Sequence, residues 1–406
     1  MAQVAQPADI VAVQALLKEV YPSDKVEEQV VKDRTTLSEL ENGNNHSDEV
    51  GDKAIGFVRT RGNKRSNSRS LNGGTLGAPG RQVRKRWEYD YTAHYIQIKI
   101  LGATIAKMRT RRQAAVNEVD DEVDNAIEDR KDDLSRQLFS DGSALIAQCG
   151  TTTASTTVVL NAAAAQAIEK GWLQEDMYVD IGTTADEDSV VADALITAVN
   201  PATPSITIDS SVTTSSSHYV SIADNRSGTT SYEMNGLAAL ASDTTVLGAI
   251  DPSSERTWKG QRVNVAGALS QAKLQDLWIQ HRKVGSKPDK IVTSFDHQRD
   301  YYNTLQSQVR FAGDSNLTSG HVEGPDFNGV IVEADQDCPD GLLYMYKKAH
   351  VMLFKASGGI QWQNVNTGGD ILAWVQDEDA FQARAAFYGQ VGTDRRNAIG
   401  VGYGIT

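Results

Sequence analysis

The chain has 406 residues, of which 40% are hydrophobic, and it carries a formal net charge of −13. This length allows two or three domains with a hydrophobic core of ordinary size. Two cysteines, Cys149 and Cys338, exclude a disulfide framework and a cysteine-rich metal site, and the acidic balance argues against a protein that coats nucleic acid. With so few cysteines, we expect a reducing compartment. No stretch approaches the roughly eighteen apolar residues of a membrane span, and residues 1–10 lack a signal-peptide pattern, so we expect no membrane span and no secretory signal.

The N-terminal residues predict an arm with one docking point. Residues 8–20 form the pattern of a short amphipathic helix, which Pro22 ends. The rest of the segment, to about Asp48, is polar and charged and predicts an extended arm. We favour an arm that orders on a partner, and a frayed terminus is the alternative.

The next segment is strongly basic. From Gly51 to Arg112 there are fifteen Lys and Arg residues and only three acids. Residues 53–70 and 81–101 predict the two strands of a long hairpin, and the glycine-rich residues 71–80 predict its tip. A two-stranded ribbon is marginally stable in water. The sequence offers no obvious intramolecular cover for it, so we expect a neighbouring subunit to cover it.

A long helix follows the ribbon. Apolar residues recur every three or four positions from Val116 to Leu138, which predicts a helix over residues 111–139. Its other faces are rich in Asp and Glu. A solvated charged face is the simplest explanation of that richness, and an acidic docking surface is the functional one.

The charge of the ribbon has two interpretations. One is nucleic-acid binding by residues 59–91, with cations beside the rings of Trp87, Tyr89 and Tyr91. The other, which we favour, is pairing with the acidic helix of an identical subunit, because both charges occur in one chain. The candidate ribbon residues are Arg59, Arg61, Lys64, Arg65, Arg81, Arg84, Lys85, Arg86 and Trp87. The candidate helix residues are Glu118, Asp121, Glu122, Asp129 and Asp133.

Residues 150–228 have a different texture. They are rich in Thr and Ser, and Lys170 is the only basic residue between 150 and 225. Short β patterns separated by turns predict an inserted small β-barrel or sandwich. The predicted strands are 176–182, 189–199, 205–209 and 218–223.

The remainder of the chain predicts a mixed α/β region. An amphipathic pattern predicts a helix over 263–284, and a second helix is predicted over 295–308 with Asp296 as its N-cap. The predicted strands are 287–294, 329–335, 341–348 and 350–356, followed by long strands within 360–375 and 380–405.

Three stretches in this region resemble a known family when they are taken in order. They are KPDKIVTSFDHQRDYYNTL (287–305), DFNGVIVEADQDCPDGLLYMYKKAHVMLFK (326–355) and DAFQARAAFYGQVGTDRRNAIGVGYGI (379–405). Together with the arm, ribbon and long helix, they resemble the major capsid protein of tailed double-stranded DNA bacteriophages. That family has the α+β fold named after phage HK97.

The resemblance implies a name for each segment. Residues 1–48 would be the N-arm, 49–102 the E-loop and 103–149 the spine helix of the P-domain. Residues 150–228 would be an insertion, 229–358 the A-domain, 359–395 the P-domain strands and 396–406 a closing A-domain strand.

The resemblance also implies a function. The protein would be a shell subunit that forms hexamers and pentamers of an icosahedral virion capsid around double-stranded DNA. It would assemble in the host cytoplasm with a separate scaffolding protein and a portal, and a decoration protein is a further option. Some members join subunits by a Lys–Asn bond, but no spacing among Lys64, Lys85 and Asn397 identifies such a pair.

Other functions find less support in the sequence. There is no GxSxG, GxxxxGK[ST] or HExxH motif, so we expect no enzyme, no cofactor and no metal site. An encapsulin-like nanocompartment shell is the alternative within the same fold, and the predicted helix at 8–20 favours it. A nucleic-acid-binding protein that uses residues 59–91 is the alternative outside it.

Overall fold

A computed structural model describes residues 34–43, 45–46, 52–65, 68, 71, 78–102, 112–306, 325–356, 360–363, 373–375 and 378–406. For residues 45, 46, 100, 101, 112–124 and 306 it describes the backbone but not the side chain. The helix predicted at 8–20 lies outside the described residues, as does most of the glycine-rich tip.

A six-stranded sheet is organised around one long strand, β21 (Ala380–Gly392). It pairs antiparallel with β4 (Thr92–Leu101), from Ala380 opposite Leu101 to Gly389 opposite Thr92. The other strands of this sheet are β1 (Asn45–His46), β18 (Met352–Lys355), β19 (Gln361–Trp362) and β20 (Ala373–Trp374). Strand β18 falls within the segment predicted as the A-domain, but it pairs with β21 and β1.

A second six-stranded sheet mixes parallel and antiparallel pairs. Its strands, in spatial order, are β13 (Gln261–Gly267), β22 (Ile399–Ile405), β17 (Leu342–Tyr346), β14 (Lys290–Thr293), β16 (Val330–Ala334) and β15 (Asp326–Phe327). Helices α5 (Gln271–Lys283) and α6 (Phe295–Gln306) contribute to its core, through Leu277 and Tyr301 among others.

Both faces of this second sheet are covered, which explains its continuous apolar runs. Ile291 and Met345 pack in the cluster with α5 and α6. Their strand neighbours Val292 and Tyr344 pack in the larger cluster on the other face. The closing strand β22 is the second strand in the order, so the chain's last residues rejoin this sheet.

Two predictions in this region are wrong in detail. The predicted helix over 263–284 is a strand, β13, followed by a helix that begins only at Gln271. Val263 and Val265 are buried while their neighbours are exposed, which is the two-residue period of a strand. Asp296 is not an N-cap, because α6 begins at Phe295 and Asp296 lies in its first turn.

The predicted insertion forms a third sheet with its own core. Its strands, in chain order, are β5 (Ala147–Gln148), β6 (Thr152–Val159), β7 (Tyr178–Gly182), β8 (Val191–Asn200), β9 (Ser205–Thr214) and β10 (Tyr219–Ile222). The spatial order is β5-β10-β7-β8-β9-β6, and all pairs are antiparallel. A bridge between Cys149 and Leu160, just beyond β5 and β6, joins the two ends of the sheet into a barrel. The four predicted strands are confirmed.

The core of this barrel is aliphatic. Ile181, Ile196 and Ile206 are fully buried, and a short helix α3 (Ala165–Glu169) adds Ala167 and Ile168. A small hairpin, β11 (Arg226–Ser227) with β12 (Thr230–Ser231), follows the barrel.

The long helix is confirmed as α2 (Arg112–Phe139). Leu134, Leu138 and Phe139 are buried in the cluster that also holds the short helix α4 (Leu237–Ala241). The same cluster holds residues of both the first and the second sheet, so it is called the shared core here. This end of α2 is part of it.

The prediction of an extended arm to Asp48 is wrong for residues 35–43. These form a helix, α1 (Thr35–Gly43), whose Leu37 and Leu40 are buried in the same core. The three-residue spacing of the two leucines places them on one side of the helix.

The predicted hairpin is present but shorter than expected. Strand β2 (Lys53–Arg61) pairs antiparallel with β3 (Val83–Asp90). The predicted second strand over 81–101 breaks at Tyr91, and its second half is β4 of the first sheet.

Candidate subunit interface

The two-stranded ribbon β2–β3 has two unlike faces. Successive side chains of a strand point to opposite sides. Ala54 is paired with Tyr89 and Gly56 with Trp87, whereas the alternate positions Ile55 and Phe57 are paired with Glu88 and Arg86. The first set forms an inner face and the second set an outer face.

The inner face is covered by the subunit's own core. Trp87 is 7% exposed, and its ring centroid lies 5.6 Å from that of Phe354. The hydroxyl of Tyr89 donates a hydrogen bond to the carbonyl of Thr393 at 2.9 Å. A Cβ at Gly56 would overlap the indole of Trp87, so glycine permits this close packing. The expectation that the ribbon lacks intramolecular cover is therefore wrong for its base, and Trp87 belongs to the subunit's own core.

The outer face is apolar and basic and faces solvent. Phe57 is 74% exposed and Ile55 is 44% exposed. Arg59 and Arg84, which are paired across the strands next to Phe57, are exposed too. Two neighbouring apolar side chains and several cations are therefore available on this face for contact with another macromolecule.

Further along the ribbon, one buried acid binds two of the candidate cations. Glu255 is 2% exposed and accepts from Nη2 of Arg61 at 2.8 Å, and Nζ of Lys85 lies 3.9 Å from the same oxygen. The hydrogen bond from Arg61 lowers the pKa of Glu255 against the opposing effect of burial. The sequence pointed to no partner for Arg61 within the chain.

The remaining candidate cations are exposed. Lys64, Arg65 and Arg81, together with Arg61, line a shallow cavity with a volume of about 600 Å³ near the described end of the ribbon. Arg86 pairs with Glu88 on the same strand at 2.8 Å. The exposed cations thus form two groups. Arg59, Arg84 and Arg86 lie on the outer face, and Lys64, Arg65 and Arg81 lie near the described end of the ribbon.

The candidate acids of α2 divide into three groups. The side chains of Glu118, Asp121 and Glu122 lie outside the described part of the structure, although the backbone there is helical. Asp129 is exposed. Asp133 is ion-paired within its own helix, because Arg130 donates to it at 2.8 Å and Arg136 donates to it at 2.7 Å. Burial would raise the pKa of Asp133, but Arg136 and Arg130 hold it well below its usual range.

Two neighbouring acids of α2 hold the N-terminal arm of the same subunit. Nη1 of Arg34 donates to Glu128 at 2.5 Å, and Nε of Arg34 pairs with Asp132. The i,i+4 spacing of Glu128 and Asp132 was the available signal, since it places both acids on one face. The sequence reasoning missed it because Arg34 lies 94 residues earlier than Glu128.

A buried polar network joins α2 to the first sheet and to the residues after the barrel. Arg136 pairs with the buried Glu233, and Arg130 donates to Nδ1 of His94 at 2.5 Å. Burial and the charge of Arg130 lower the pKa of His94 to about 3, so its ring is neutral and accepts this bond. The network fixes α2 against strand β4.

Among the described residues, no group of three or more His, Cys, Asp and Glu side chains is arranged to hold a metal ion. No described helix is both long and apolar enough to cross a membrane.

Comparison with known proteins gives a likeness of structure and not of sequence. No protein-family model and no curated protein matches the sequence. A chain of the cyanophage A-1(L) capsid asymmetric unit is similar with a TM-score of 0.59 and 15% identity, over 95% of this chain and 96% of that chain. The holo-SrpI encapsulin complex from Synechococcus elongatus PCC 7942 is similar with a TM-score of 0.50 and 10% identity, over 98% and 96% of the chains. The capsid of a native GTA particle is similar with a TM-score of 0.50 and 9% identity, over 98% of each chain.

These likenesses extend over nearly the whole length of each chain. The α+β architecture implied by the three C-terminal stretches is confirmed. The chain has the HK97 fold.

Proposed function

We propose that this protein is the major capsid protein of a tailed bacteriophage. It self-assembles into an icosahedral shell of hexamers and pentamers that encloses double-stranded DNA, and its role is structural and not catalytic. The observation that carries the proposal is the combination of an HK97 fold over nearly the whole chain with a ribbon whose outer face exposes Phe57 and several arginines.

In this proposal the outer face of the ribbon docks on an identical subunit. Repeated self-complementary contacts are what a closed symmetric assembly requires. Phe57 and Ile55 supply apolar area. The charges of Arg59, Arg84 and Arg86 make the contact specific for an acidic partner surface. Trp87 takes no part, because it is buried in its own subunit.

We propose the N-terminal part of α2, together with the turn that carries the exposed Asp129, as the receiving surface. Glu118, Asp121, Glu122 and Asp129 supply the negative charge. Asp133 is left out, because Arg130 and Arg136 of the same helix already neutralise it.

The other partners follow from the same assignment. The shell belongs to a virion, and it assembles in the host cytoplasm with a separate scaffolding protein and a portal, with a decoration protein as an optional addition. The segments keep the names N-arm (1–48), E-loop (49–102), spine helix (103–149), insertion (150–228), A-domain (229–358), P-domain strands (359–395) and closing strand (396–406).

Electron microscopy and sedimentation of the purified protein test this function. We expect closed shells from the unaltered chain. Replacing Arg59, Arg84 and Arg86, the three cations of the outer face, together by Glu should abolish the shells and leave a soluble subunit, because the docking face then repels an acidic surface. Replacing the same three residues by Gln removes the charge without reversing it and should give an intermediate yield. Normal shells from the Glu variant would contradict the docking role.

A second function within the same fold is an encapsulin-like nanocompartment. It is favoured by the likeness to the encapsulin chain over 98% of this chain. Particles purified from their native source distinguish the two. Nuclease-protected DNA of genome length supports the virion, and a co-purifying protein cargo without such DNA supports the nanocompartment.

The nucleic-acid-binding alternative loses one of its two supports. Its stacking rings include Trp87 and Tyr89, and both are buried against Phe354. Tyr91, the third ring, is half-buried against the same core, so the exposed cations are the main support that remains. Charge alone gives binding that is weak and depends on salt.

A further inference from the structure

The role of the inserted barrel is open in the proposed function, and its one cation offers an answer. Lys170, which follows α3, is 12% exposed at its side chain. Its ammonium group donates to the carbonyl of Cys338 at 2.7 Å, to the carbonyl of Gln336 at 3.3 Å and to the carboxylate of Asp340 at 3.2 Å. All three donors of the group are therefore used on one loop outside the barrel.

This loop, residues 335–341, is called the junction loop here. Two more barrel residues bind it. The indole nitrogen of Trp172 donates to Asp337 at 3.0 Å, and Gln166 accepts from the backbone N–H of Asp340 at 2.7 Å. Asp337 and Cys338 are fully buried, so these contacts belong to a packed junction and not to a solvated surface.

The other end of the junction loop holds helix α1. Asp335 is 1% exposed, and one of its oxygens accepts from the backbone N–H of Thr36 at 3.2 Å and from the Thr36 hydroxyl at 2.6 Å. Its second oxygen accepts from the backbone N–H of Asp337 at 3.0 Å. A carboxylate at the first turn of a helix satisfies donors that the helix itself cannot pair. Asp335 thus caps α1 from a distant part of the chain.

The bonds form one continuous path from the barrel to the arm. Lys170, Trp172 and Gln166 hold residues 336–340, Asp337 orients Asp335, and Asp335 holds Thr36. Thr36 is two residues from Arg34, the first residue described and the one bound to Glu128 and Asp132. The path therefore ends at α1 and at Arg34, the first part of the arm that the structure describes.

We propose that the inserted barrel is a positioning element for the N-terminal arm. Through Lys170 and the junction loop it holds Asp335 where this carboxylate caps α1, and so it fixes the position of α1 and of the neighbouring Arg34. Lys170 is a positioning residue, since it touches neither Thr36 nor Arg34 and acts through the loop.

Hydrogen exchange on the full-length protein tests this role. Lys170→Met should speed the exchange of the α1 amides by roughly tenfold, because bonds to a charged group are lost and the cap loosens. Lys283→Met, which changes an exposed lysine at the end of α5, is the matched control and should leave α1 unchanged. Unchanged α1 exchange in Lys170→Met would overturn the proposal.

A double variant separates positioning from general loosening. Thr36→Val removes the hydroxyl donor at the far end of the path. If Lys170 acts through Asp335, the combined variant should exchange more slowly than the product of the two single effects predicts. Effects that multiply independently would overturn the path. If Lys170→Met also speeds exchange in barrel strands β7 to β9, Gln166→Ala replaces it in the test. This variant removes the acceptor for Asp340 and one exposed bond to the carbonyl of Ala163.

Discussion

The barrel and the ribbon are both antiparallel β structures, and they differ in how much of their surface is covered within the subunit. The barrel has six strands and an aliphatic core of its own, and its single cation is used inside the subunit. The ribbon has two strands, buries one face on the shared core and leaves Phe57 and several arginines exposed on the other. A closed sheet needs no partner, whereas a half-covered ribbon carries a surface that a partner can bury.

The largest effect on the subunit itself is expected at the covered face of the ribbon. Trp87→Ala should lower the free energy of unfolding by about 3–5 kcal/mol, because it removes a buried aromatic from the shared core. Chemical denaturation measures this change. Phe57→Ala, one position along on the paired strand, is the control and should change the same quantity by less than about 0.5 kcal/mol. A mild effect at Trp87 would break the distinction between the two faces.

The next effect tests whether the barrel is self-contained. Ile196→Ala should cost about 2–5 kcal/mol of barrel stability, because Ile196 is fully buried in the barrel core. Hydrogen exchange should rise in β7 to β9 and stay near its original rate in β14, β17 and β22 of the second sheet. Equal loosening of both sheets would mean that the barrel does not have a core of its own.

The next effect is smaller: acid should lower the stability of the arm more than it lowers the stability of the barrel. Lys290 and Lys348 lower the pKa of Glu39 against the effect of burial, and Lys131 and Arg34 lower that of Glu128. A carboxyl with a lowered pKa in the folded state stabilises above its unfolded pKa near 4.5, and that stability is lost as the pH falls. Both side chains are more than a third exposed, so each should contribute less than about 1 kcal/mol.

The barrel responds to acid in the opposite sense. Burial raises the pKa of its Asp180 against the backbone hydrogen bonds from Asp193 and Asp224, so lowering the pH does not remove stability at this group. Exchange measured between pH 7 and pH 4, and corrected for its intrinsic pH dependence, should therefore rise in α1 before it rises in the barrel. Glu39→Gln should reduce the pH response of α1 and leave the part that is due to Glu128.

The smallest effect on the subunit should accompany the clearest effect on assembly. Phe57→Asp and Val159→Asp each replace an exposed apolar side chain on a strand, one on the ribbon and one on the barrel. Each should change the free energy of unfolding by less than about 0.5 kcal/mol. Sedimentation should show shells from the Val159 variant and unassembled subunits from the Phe57 variant. Assembly by both would remove Phe57 from the interface.

Local patterns were enough to predict the elements whose period is unbroken. Helix α2 and the four central barrel strands were found because each carries its own apolar repeat and turn residues. Strand β13 was missed because it runs straight into α5, and an apolar run of that length fits either period. Helix α1 was missed because its two buried leucines are a weak signal in a polar segment.

The candidate interface shows the same division between local and distant information. The sequence located the basic ribbon and the acidic helix, because the charge of a segment can be counted from its residues. It did not reveal which of those charges are already used, since Arg34 with Glu128, Arg61 with Glu255 and Lys170 with Cys338 join parts of the chain separated by about a hundred residues or more. Spacing along the chain carries no information about such pairs.

The sequence by itself therefore determined the order of the parts, the HK97 resemblance and the contrast of charge between ribbon and helix. Only the tertiary structure decided which face of the ribbon is free. Trp87 and Phe57 are both aromatic residues in a basic strand pair, and nothing local to either distinguishes them. Phe354 and Thr393, brought in from the far end of the chain, bury the face that carries Trp87 and leave Phe57 in solvent.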